Sequence, residues 1–243
     1  MRESKRADRL LVELGHFESR ARARAAIEAG GVFADGSPIL KPATLLRADA
    51  VIKATQPHPY VSRGGIKLEA ALGAFGFDPA GRVCLDVGAA TGGFTQVLLL
   101  RGARKVVAVD VGHGQLHASL VDDPRIQSLE GQDVRTLAPA TIGETPSFVT
   151  IDVSFISLLA VLPAIDALTA SRAALVALIK PQYEAGRAHL KKGIVRNPKV
   201  QSEVCHRVDT ALRDLRWHVV GVMPSPIEGG DGNREFLIGA RRG

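Results

Sequence analysis

The sequence has few residues of several types that define large protein classes. Its two cysteines, Cys84 and Cys205, provide neither a disulfide framework nor the paired spacing of metal ligands, so we interpret both as reduced packing residues and predict no metal site. No apolar run reaches the roughly 18–20 residues that span a bilayer. The charged residues 1–6 lead into no apolar signal core. These absences predict a soluble, cytoplasmic protein without stable membrane insertion.

The overall composition is that of a globular protein with a positive charge. Of 243 residues, 46% are apolar and 23% are charged, and this length accommodates one large core and a small second domain. The net charge is +6, and residues 1–54 contribute ten Lys and Arg against seven Asp and Glu. A polyanion is therefore the expected partner, and its contacts are expected mainly in the amino-terminal part.

The amino-terminal pattern predicts a small α+β module. Helices are expected at residues 7–14 and from Ser19, which can cap a helix, to about residue 29. Strands are expected at residues 32–34, 38–40 and 50–53. Arg20 and Arg24 lie one helical turn apart, with Arg22 to the side. Such a face can follow RNA phosphates, and it can equally be a solvated helix surface.

The order of residues in this module resembles the S4 RNA-binding domain. The matching stretches are Arg-Leu-Leu-Val-Glu-Leu-Gly at residues 9–15, Glu-Ser-Arg at 18–20, Ala-Ala-Ile-Glu-Ala-Gly at 25–30 and Val-Phe-Ala-Asp-Gly at 32–36. In that family the two-helix face and the following loop contact structured RNA, so the resemblance favours RNA binding. The predicted RNA-binding residues are Arg6, Arg20, Arg22, Arg24 and Arg63.

A glycine-rich turn at residues 88–93 follows an apolar run, residues 82–87, and precedes a helical run, residues 94–100. Such a turn lets a nucleotide-like ligand approach the backbone. A P-loop requires Lys and then Ser or Thr after its last glycine, and this chain has Phe94-Thr95. The dinucleotide fingerprint requires glycine at position 90, which is alanine. An S-adenosylmethionine site remains the favoured interpretation.

The cofactor residues follow from this interpretation. Asp110 ends a second strand-like run, where it can bind both hydroxyls of the cofactor ribose. Asp133 follows a third strand-like run. Each acid can instead be a helix cap or a surface residue. The predicted cofactor-binding residues are Asp86, Gly88, Gly92, Gly93, Phe94, Asp110, Asp133 and Asp152. Cofactor contacts at Gly92, Phe94, Asp110, Asp133 and Asp152 are what the family resemblance described below implies.

Alternating strand-like and helix-like runs continue to the end of the chain. They predict an α/β fold, a Rossmann-like methyltransferase domain with a doubly wound, mostly parallel sheet, preceded by the α+β module. Ligands of such sheets bind at the carboxyl ends of the strands. Four residues at predicted strand ends are expected to face one crevice: Asp86, Asp110, Asp152 and Lys180.

The sequence also limits the kind of chemical group that can accept the methyl group. The sequence after the fourth strand, Asp152-Val153-Ser154-Phe155, lacks the prolines typical of amino-group methylation, and neither cysteine is at a strand end, as pyrimidine carbon methylation requires. An oxygen acceptor remains, such as a ribose 2′-hydroxyl, which needs in-line positioning and a group that accepts or orients its proton. Lys180 can take this role, because burial and a second cation favour a neutral amine.

Lys67 is the expected second cation. The apolar residues of the helical run 68–75 mark a buried face on which Lys67 also lies. Asp152 and Glu235 are the carboxylates expected to hold the two lysines. The alternative is a lysine whose stem packs in the core while its tip reaches water.

Five stretches together resemble FtsJ-type methyltransferases, and with the S4-like module they resemble the TlyA family of ribosomal RNA 2′-O-methyltransferases, whose members are also named hemolysins. The stretches are residues 62–68, 86–94, 151–155, 179–184 and 233–236. The resemblance implies S-adenosylmethionine as cofactor, ribosomal RNA or ribosomal subunits as partner, cytidine as acceptor, and a catalytic tetrad of Lys67, Asp152, Lys180 and Glu235. Many FtsJ-type turns have Pro-Gly-Gly-Trp where this chain has Thr-Gly-Gly-Phe at residues 91–94.

The resulting domain prediction is an RNA-binding domain at residues 1–55, a linker at 56–62 and a methyltransferase domain at 63–243. Two alternatives stay open: a membrane-active hemolysin, and a cofactor-binding RNA-binding protein without catalysis. The basic loop at residues 189–196 is either a further RNA contact or a solvated loop.

Overall fold

A computed structural model of the chain describes residues 4–28, 30–55, 58–229 and 232–243. The chain divides into two compact units, Met1–Pro59 and Tyr60–Gly243. Gln56 and Pro57 of the predicted linker lie outside the described residues, as does residue 29, where the second helix was expected to end. The domain boundaries at residues 55 and 63 stay predictions.

The amino-terminal unit packs two short helices beside short strands. Its elements are β1 (Ser4–Arg6), α1 (Ala7–Glu13), α2 (Arg20–Glu28), β2 (Val32–Ala34), β3 (Ser37–Pro38), β4 (Leu45–Arg47) and β5 (Ile52–Ala54). Strand β1 pairs with β4, and β2 lies between β3 and β5, all antiparallel. Leu10 and Leu11 of α1 and Ile27 of α2 are buried in one core. The sequence did not predict β1 and β4, because their pairing joins residues far apart in the chain and no tight turn marks it, as Asp35-Gly36 marks the turn between β2 and β3.

The carboxyl-terminal unit is built on a mixed sheet, which has seven strands within the described residues. Its strands are β6 (Val83–Val87), β7 (Lys105–Asp110), β8 (Ile126–Glu130), β9 (Phe148–Ile151), β10 (Ala173–Ile179), β11 (His218–Pro224) and β12 (Phe236–Arg242). Their order is β11-β12-β10-β9-β6-β7-β8. Strands β6 to β10 are parallel, and β12 is antiparallel to both of its neighbours. The predicted doubly wound, mostly parallel sheet is confirmed.

Helices cover both faces of this sheet. They are α3 (Gly64–Phe75), α4 (Gly93–Leu100), α5 (Ala118–Val121), α6 (Pro139–Ile142), α7 (Leu158–Leu168), α8 (Pro181–Glu184) and α9 (Pro198–Asp214), with 3-10 turns at Val134–Thr136 and Arg187–His189. Alternate residues of β10 face opposite sides, because side chains along a strand have a period of two. Leu175 packs with α7 and α9, whereas Val176 packs with α3 and α4. Among the helices of the described residues, none has the length and apolar character needed to cross a membrane.

The strand order reverses beside β6. From β6 the chain continues to β7 and β8 on one side, and β9 and β10 then lie on the other side. Open α/β sheets bind ligands at the carboxyl ends of the strands at such a reversal. The candidate site is therefore the edge at which β6 and β9 end.

Candidate active site

The turn after β6 runs very close to the loop after β9. Gly88 has a φ of 80°, and a Cβ there would overlap the carbonyl oxygen of Asp152. Gly92 has a φ of 90°, and its Cβ would meet the side chains of Leu116 and Leu120. Only glycine fits these two positions, because both the left-handed backbone and the close approach exclude a Cβ. The turn is therefore packed closely against the loop after β9 and against the side chains of Leu116 and Leu120 at the switch point.

Asp110, at the end of β7, ties this turn to the following loop. Its Oδ2 accepts a hydrogen bond from the backbone N–H of Ala90 at 2.8 Å, and its Oδ1 accepts one from Gly112 at 2.7 Å. A carboxylate has about four acceptor positions. The two that remain match the two hydroxyls of a ribose, so the donors and acceptors present fit S-adenosylmethionine.

Glu130, at the end of β8, holds the loop after β7 and was not predicted from the sequence. Its carboxylate accepts hydrogen bonds from the backbone N–H groups of Gly114 at 2.7 Å and Gln115 at 3.2 Å. The Gly114 hydrogen bond is the main cause that lowers the pKa of Glu130. The sequence does contain a signal for this residue, because Glu130 ends a strand-like run in the same way that Asp110 does.

Two other predicted cofactor residues have structural partners. Asp133 caps a 3-10 turn by accepting from the backbone N–H of Arg135 at 2.9 Å, and the side-chain hydrogen bond from Arg135 lowers the Asp133 pKa. Phe94 is buried at 3% exposure against Gly64, where it supports the start of α4 from within the core. A Cβ at Gly93 would meet Ser62 of the segment that leads into α3. Their roles as cofactor contacts stay predictions.

Asp86 does not face the crevice with the other strand-end residues, which corrects the sequence-based expectation. It is the fourth residue of β6 and has no exposed surface. The hydroxyls of Thr95 and Thr150 donate hydrogen bonds to its two oxygens at 2.6 and 2.8 Å. Burial raises its pKa to about 6, against a smaller opposing effect of these hydrogen bonds. Asp86 therefore fastens β6 to α4 and β9 beneath the glycine-rich turn.

Asp86→Asn is expected to flatten the pH dependence of unfolding between about pH 4 and 6. The native carboxyl has a pKa of about 6 and the unfolded one about 3.8, so the native state binds more protons in this window. The free energy of unfolding therefore falls as pH rises through the window, by up to roughly 3 kcal/mol. Urea unfolding at pH 4.5 and 7 measures the difference. The exposed Asp214→Asn is the control, and an unchanged slope in Asp86→Asn would contradict the assignment.

Strand register brings three of the four predicted catalytic residues to one edge of the sheet. Asp152 directly follows β9, Lys180 directly follows β10, and Glu235 directly precedes β12. Ile179 pairs with Phe236, so Lys180 and Glu235 are the next residues along two neighbouring antiparallel strands. The backbones of such residues are about 5 Å apart.

Lys180 forms an ion pair with Asp152. Its Nζ lies 2.7 Å from Oδ1 of Asp152, although this oxygen accepts no hydrogen bond of good angle from a described residue. The same Nζ donates to the hydroxyl of Ser154 at 2.8 Å. The side chains of Lys180 and Asp152 are 12% and 22% exposed, so both groups can reach a bound substrate.

Lys67 reaches the same edge from α3 and pairs with Glu235. Nζ of Lys67 donates to Oε2 of Glu235 at 2.5 Å. Lys67 is 7% exposed and Glu235 3%, so the lysine tip does not reach water in the way that the alternative interpretation required. The prediction that Asp152 and Glu235 hold the two lysines matches this geometry, with one carboxylate for each lysine.

An aromatic pair lies beside the Lys180–Asp152 pair and was not predicted. Phe155 is 89% exposed and has a φ of 63°, which is uncommon for a side chain of this size. Its ring centroid is 5.2 Å from that of Tyr183. Exposed aromatic faces of this kind can stack on unpaired bases.

Glu184 connects the loops that carry the aromatic pair. It accepts hydrogen bonds from the hydroxyl of Ser157 and from the backbone N–H of Leu158, both at 2.6 Å. This contact caps α7 and fixes the loop after β9 to the segment after Lys180.

The predicted RNA-binding arginines differ in how much of each side chain is exposed for contact with RNA. Arg22 is partly buried, with 18% of its side chain exposed, and lies 3.8 Å from Glu18, so its role as an RNA contact stays a prediction. Arg20 pairs with the buried Asp8 at 2.7 Å and is still 59% exposed. Arg24 pairs with Glu28 at 3.2 Å and is 66% exposed. Arg20 and Arg24 therefore remain candidates for phosphate contact.

Asp8 forms ion pairs with two of the predicted RNA-binding arginines, Arg20 and Arg6. Arg6 also pairs with it at 3.0 Å, and the side-chain hydrogen bond from Arg6 is the largest of the effects that lower the Asp8 pKa to about 2. Arg63, the remaining predicted contact, is exposed at the start of α3. The Arg20–Asp8 pair joins residues 12 positions apart, on two helices, so local spacing does not predict it.

The chain is similar to known families and proteins over most of its length. The FtsJ-like methyltransferase family matches residues 60–242, and the S4 domain matches residues 5–52. The 16S/23S rRNA (cytidine-2′-O)-methyltransferase TlyA of Mycobacterium tuberculosis (strain CDC 1551 / Oshkosh) is 44% identical, over 97% of this chain and 89% of its own. Hemolysin A of Brachyspira hyodysenteriae is 38% identical, over 96% of this chain and 98% of its own. A solved Streptococcus thermophilus structure that carries a hemolysin name has a TM-score of 0.79 and 39% identity, covering 100% of this chain and 90% of that chain.

Proposed function

We propose that this chain, which belongs to the FtsJ-like methyltransferase family and carries an S4 domain, methylates a ribose 2′-hydroxyl of ribosomal RNA, with S-adenosylmethionine as the cofactor. The observation that carries the proposal is the pair of lysine–carboxylate contacts, Lys180–Asp152 and Lys67–Glu235, beside the glycine-rich turn. Cytidine is the proposed acceptor nucleoside, because the M. tuberculosis relative is named for it. The cytoplasm is the proposed location, because a ribosomal RNA methyltransferase must meet its substrate there.

The cofactor is assigned to the turn after β6. When bound, S-adenosylmethionine supplies an electrophilic methyl group on a sulfonium. Asp110 would hold the ribose hydroxyls with its free acceptor positions. Gly88 and Gly92 let the turn that carries the site pack closely against the loop after β9 and against Leu116 and Leu120. Asp152 follows β9 next to this turn, where its negative charge favours the cationic end of the cofactor.

The acceptor hydroxyl is assigned to the Lys180–Asp152 pair. Lys180 Nζ orients the acceptor hydroxyl and is the group that takes the proton of this hydroxyl when it is methylated. Asp152 and Ser154 fix the position of Nζ. Lys67 and Glu235 support the floor of the site and add a second buried cation near the acceptor.

The test is transfer of labelled methyl groups from the cofactor to ribosomal subunits and to naked ribosomal RNA, followed by mapping of 2′-O-methyl positions with and without the protein. Incorporation at a cytidine ribose is the expected result. If no ribosomal RNA or subunit accepts label while the cofactor still binds, the chain is a cofactor-binding RNA-binding protein without catalysis.

A membrane-active function is the second candidate, favoured only by the hemolysin names of relatives. Lysis of red cells or liposomes by the purified protein would support it, and equal lysis by Lys180→Ala would show that this effect does not depend on methyl transfer.

Replacing Arg20 and Arg24 together by Gln is expected to weaken RNA binding and to flatten its salt dependence. The variant lacks two exposed cations that would neutralise phosphates and release the counterions bound to them. Affinity across a salt series measures the effect. Asp8→Asn is the control, since it weakens the Arg20 ion pair while keeping both cations. Unchanged affinity in the double variant would place the RNA contacts elsewhere.

A further inference from the structure

The segment between α8 and α9 contains most of the net positive charge of the chain. No Asp or Glu occurs from residue 185 to residue 202, and five cations do: Arg187, Lys191, Lys192, Arg196 and Lys199. We call residues 187–199 the basic arm. The chain has 31 Lys and Arg against 25 Asp and Glu, so the rest of the chain is almost balanced without these five.

The cations of the basic arm are available to a ligand. All five are exposed, and none forms an ion pair with another residue in the described part of the chain. In contrast, Arg20 and Arg24 each have a carboxylate partner. A polyanion that binds the basic arm therefore displaces no existing ion pair.

The tip of the arm is ordered by its own backbone. Lys191 and Ile194 form an antiparallel bridge, with N–H to oxygen distances of 3.0 and 3.1 Å in the two directions. Lys192 and Gly193 form the turn between them, with φ values of 53° and 79°. Two lysines are thus presented side by side on a defined turn.

The arm is also fixed at its base. Val195 is 2% exposed, and its carbonyl accepts a hydrogen bond from Nε2 of Gln201 at 2.7 Å. Asn233 donates from Nδ2 to the carbonyl of Gly193 at 3.2 Å. A segment held in this way loses little conformational entropy on binding.

These contacts locate the arm beside the acceptor side of the site. Asn233 is two residues from Glu235, which limits the separation of their Cα atoms to about 7 Å. The arm also begins three residues after Glu184, the last residue of α8, which is the helix that follows Lys180. The arm therefore lies near the residues proposed to hold the acceptor ribose, within reach of the RNA strand that carries it.

We propose that the basic arm binds the phosphodiester backbone of the RNA strand that carries the acceptor ribose. The inference rests on the proposed function and assigns the catalytic unit its own RNA contact. RNA is favoured over an anionic membrane because a membrane-binding segment also needs an apolar face. The arm has no exposed large hydrophobic side chain among its described residues.

The test compares two double variants that each remove two positive charges. Lys191→Gln with Lys192→Gln changes the tip of the arm. Arg172→Gln with Arg216→Gln changes two exposed cations near the amino end of β10 and before β11, away from the carboxyl ends. Lys192 and Arg216 both have left-handed backbone, with φ of 53° and 62°, so the two variants are matched in backbone strain.

The arm variant is expected to bind ribosomal subunits about tenfold more weakly at moderate salt, with a salt-dependence slope smaller by roughly 1.4, which is about 0.7 for each lost contact to a single strand. The KM for RNA rises, while kcat at saturating RNA stays near wild type. The control is expected to keep the wild-type slope and KM.

Equal losses in the two variants, or an unchanged slope in the arm variant, would overturn the inference. So would loss of binding to anionic phospholipid vesicles with no loss of binding to RNA. If the wild-type protein transfers no methyl group but the arm variant alone loses RNA affinity, the arm assignment holds and the proposed function fails. If the wild type methylates RNA and the arm variant matches it in KM, the arm assignment fails and the proposed function holds.

Discussion

Lys180→Ala is expected to lower methyl transfer to ribosomal RNA by about 10²–10⁴-fold, the range typical for loss of a positioned proton acceptor. Cofactor affinity is expected to change little, because Lys180 contacts Asp152 and Ser154 on the acceptor side, whereas the Asp110 carboxylate holds the glycine-rich turn. Single-turnover rates at saturating cofactor measure the first quantity, and calorimetric titration with the cofactor measures the second.

Two further variants separate proton transfer from charge. Lys180→Arg keeps a cation beside Asp152, but a guanidinium cannot be deprotonated in a protein, so it is expected to be as inactive as alanine. Lys105→Ala removes a lysine at the start of β7, at the opposite edge of the sheet, and is expected to keep full activity. Turnover like that of the wild type in Lys180→Ala would remove Lys180 from the mechanism.

Glu235→Ala is expected to reduce the free energy of unfolding by about 3–5 kcal/mol, because it leaves the charge of Lys67 buried without a partner. Lys67 is 7% exposed, so water cannot replace the lost carboxylate without rearrangement. Urea unfolding followed by circular dichroism measures the change. Glu144→Ala breaks the exposed pair with Arg104 and is expected to have little effect.

A double variant distinguishes stability from catalysis at this pair. Lys67→Met with Glu235→Met replaces both charged groups by apolar side chains of similar volume, which is often neutral for stability. It is expected to recover most of the stability lost in Glu235→Ala while methyl transfer stays low. If the double variant recovered full activity as well, the Lys67–Glu235 pair would have a structural role only.

The sequence predicted those parts of the site that are set by local pattern. Lys67 lies on the buried side of α3, as the helical periodicity indicates, and Asp152 and Lys180 follow strands that their apolar runs identified. The start of α3 at Gly64 was not predicted, because two glycines are poor helix formers and their role is close packing against α4.

The parts that the sequence did not predict depend on contacts between distant residues. Asp86 resembles the other strand-end acids, and only the positions of Thr95 and Thr150 show that it is internal. The pairing of Arg20 with Asp8 joins two helices. The contact of Asn233 with Gly193 joins segments 40 residues apart. Such pairings are set by tertiary packing, which spacing along one helix or strand does not encode.

The Lys67–Glu235 pair also has a consequence for the order of events during synthesis. Its two residues are 168 positions apart, and Glu235 is carried by the strand that inserts between β10 and β11. At about 5–20 residues per second, a ribosome takes roughly 8–34 s to pass from one to the other. Throughout that time, packing α3 in its final position would bury Lys67 without its partner Glu235, which disfavours the final packing of α3. The acceptor side of the site is therefore completed late, when the nascent chain has delivered its last strand.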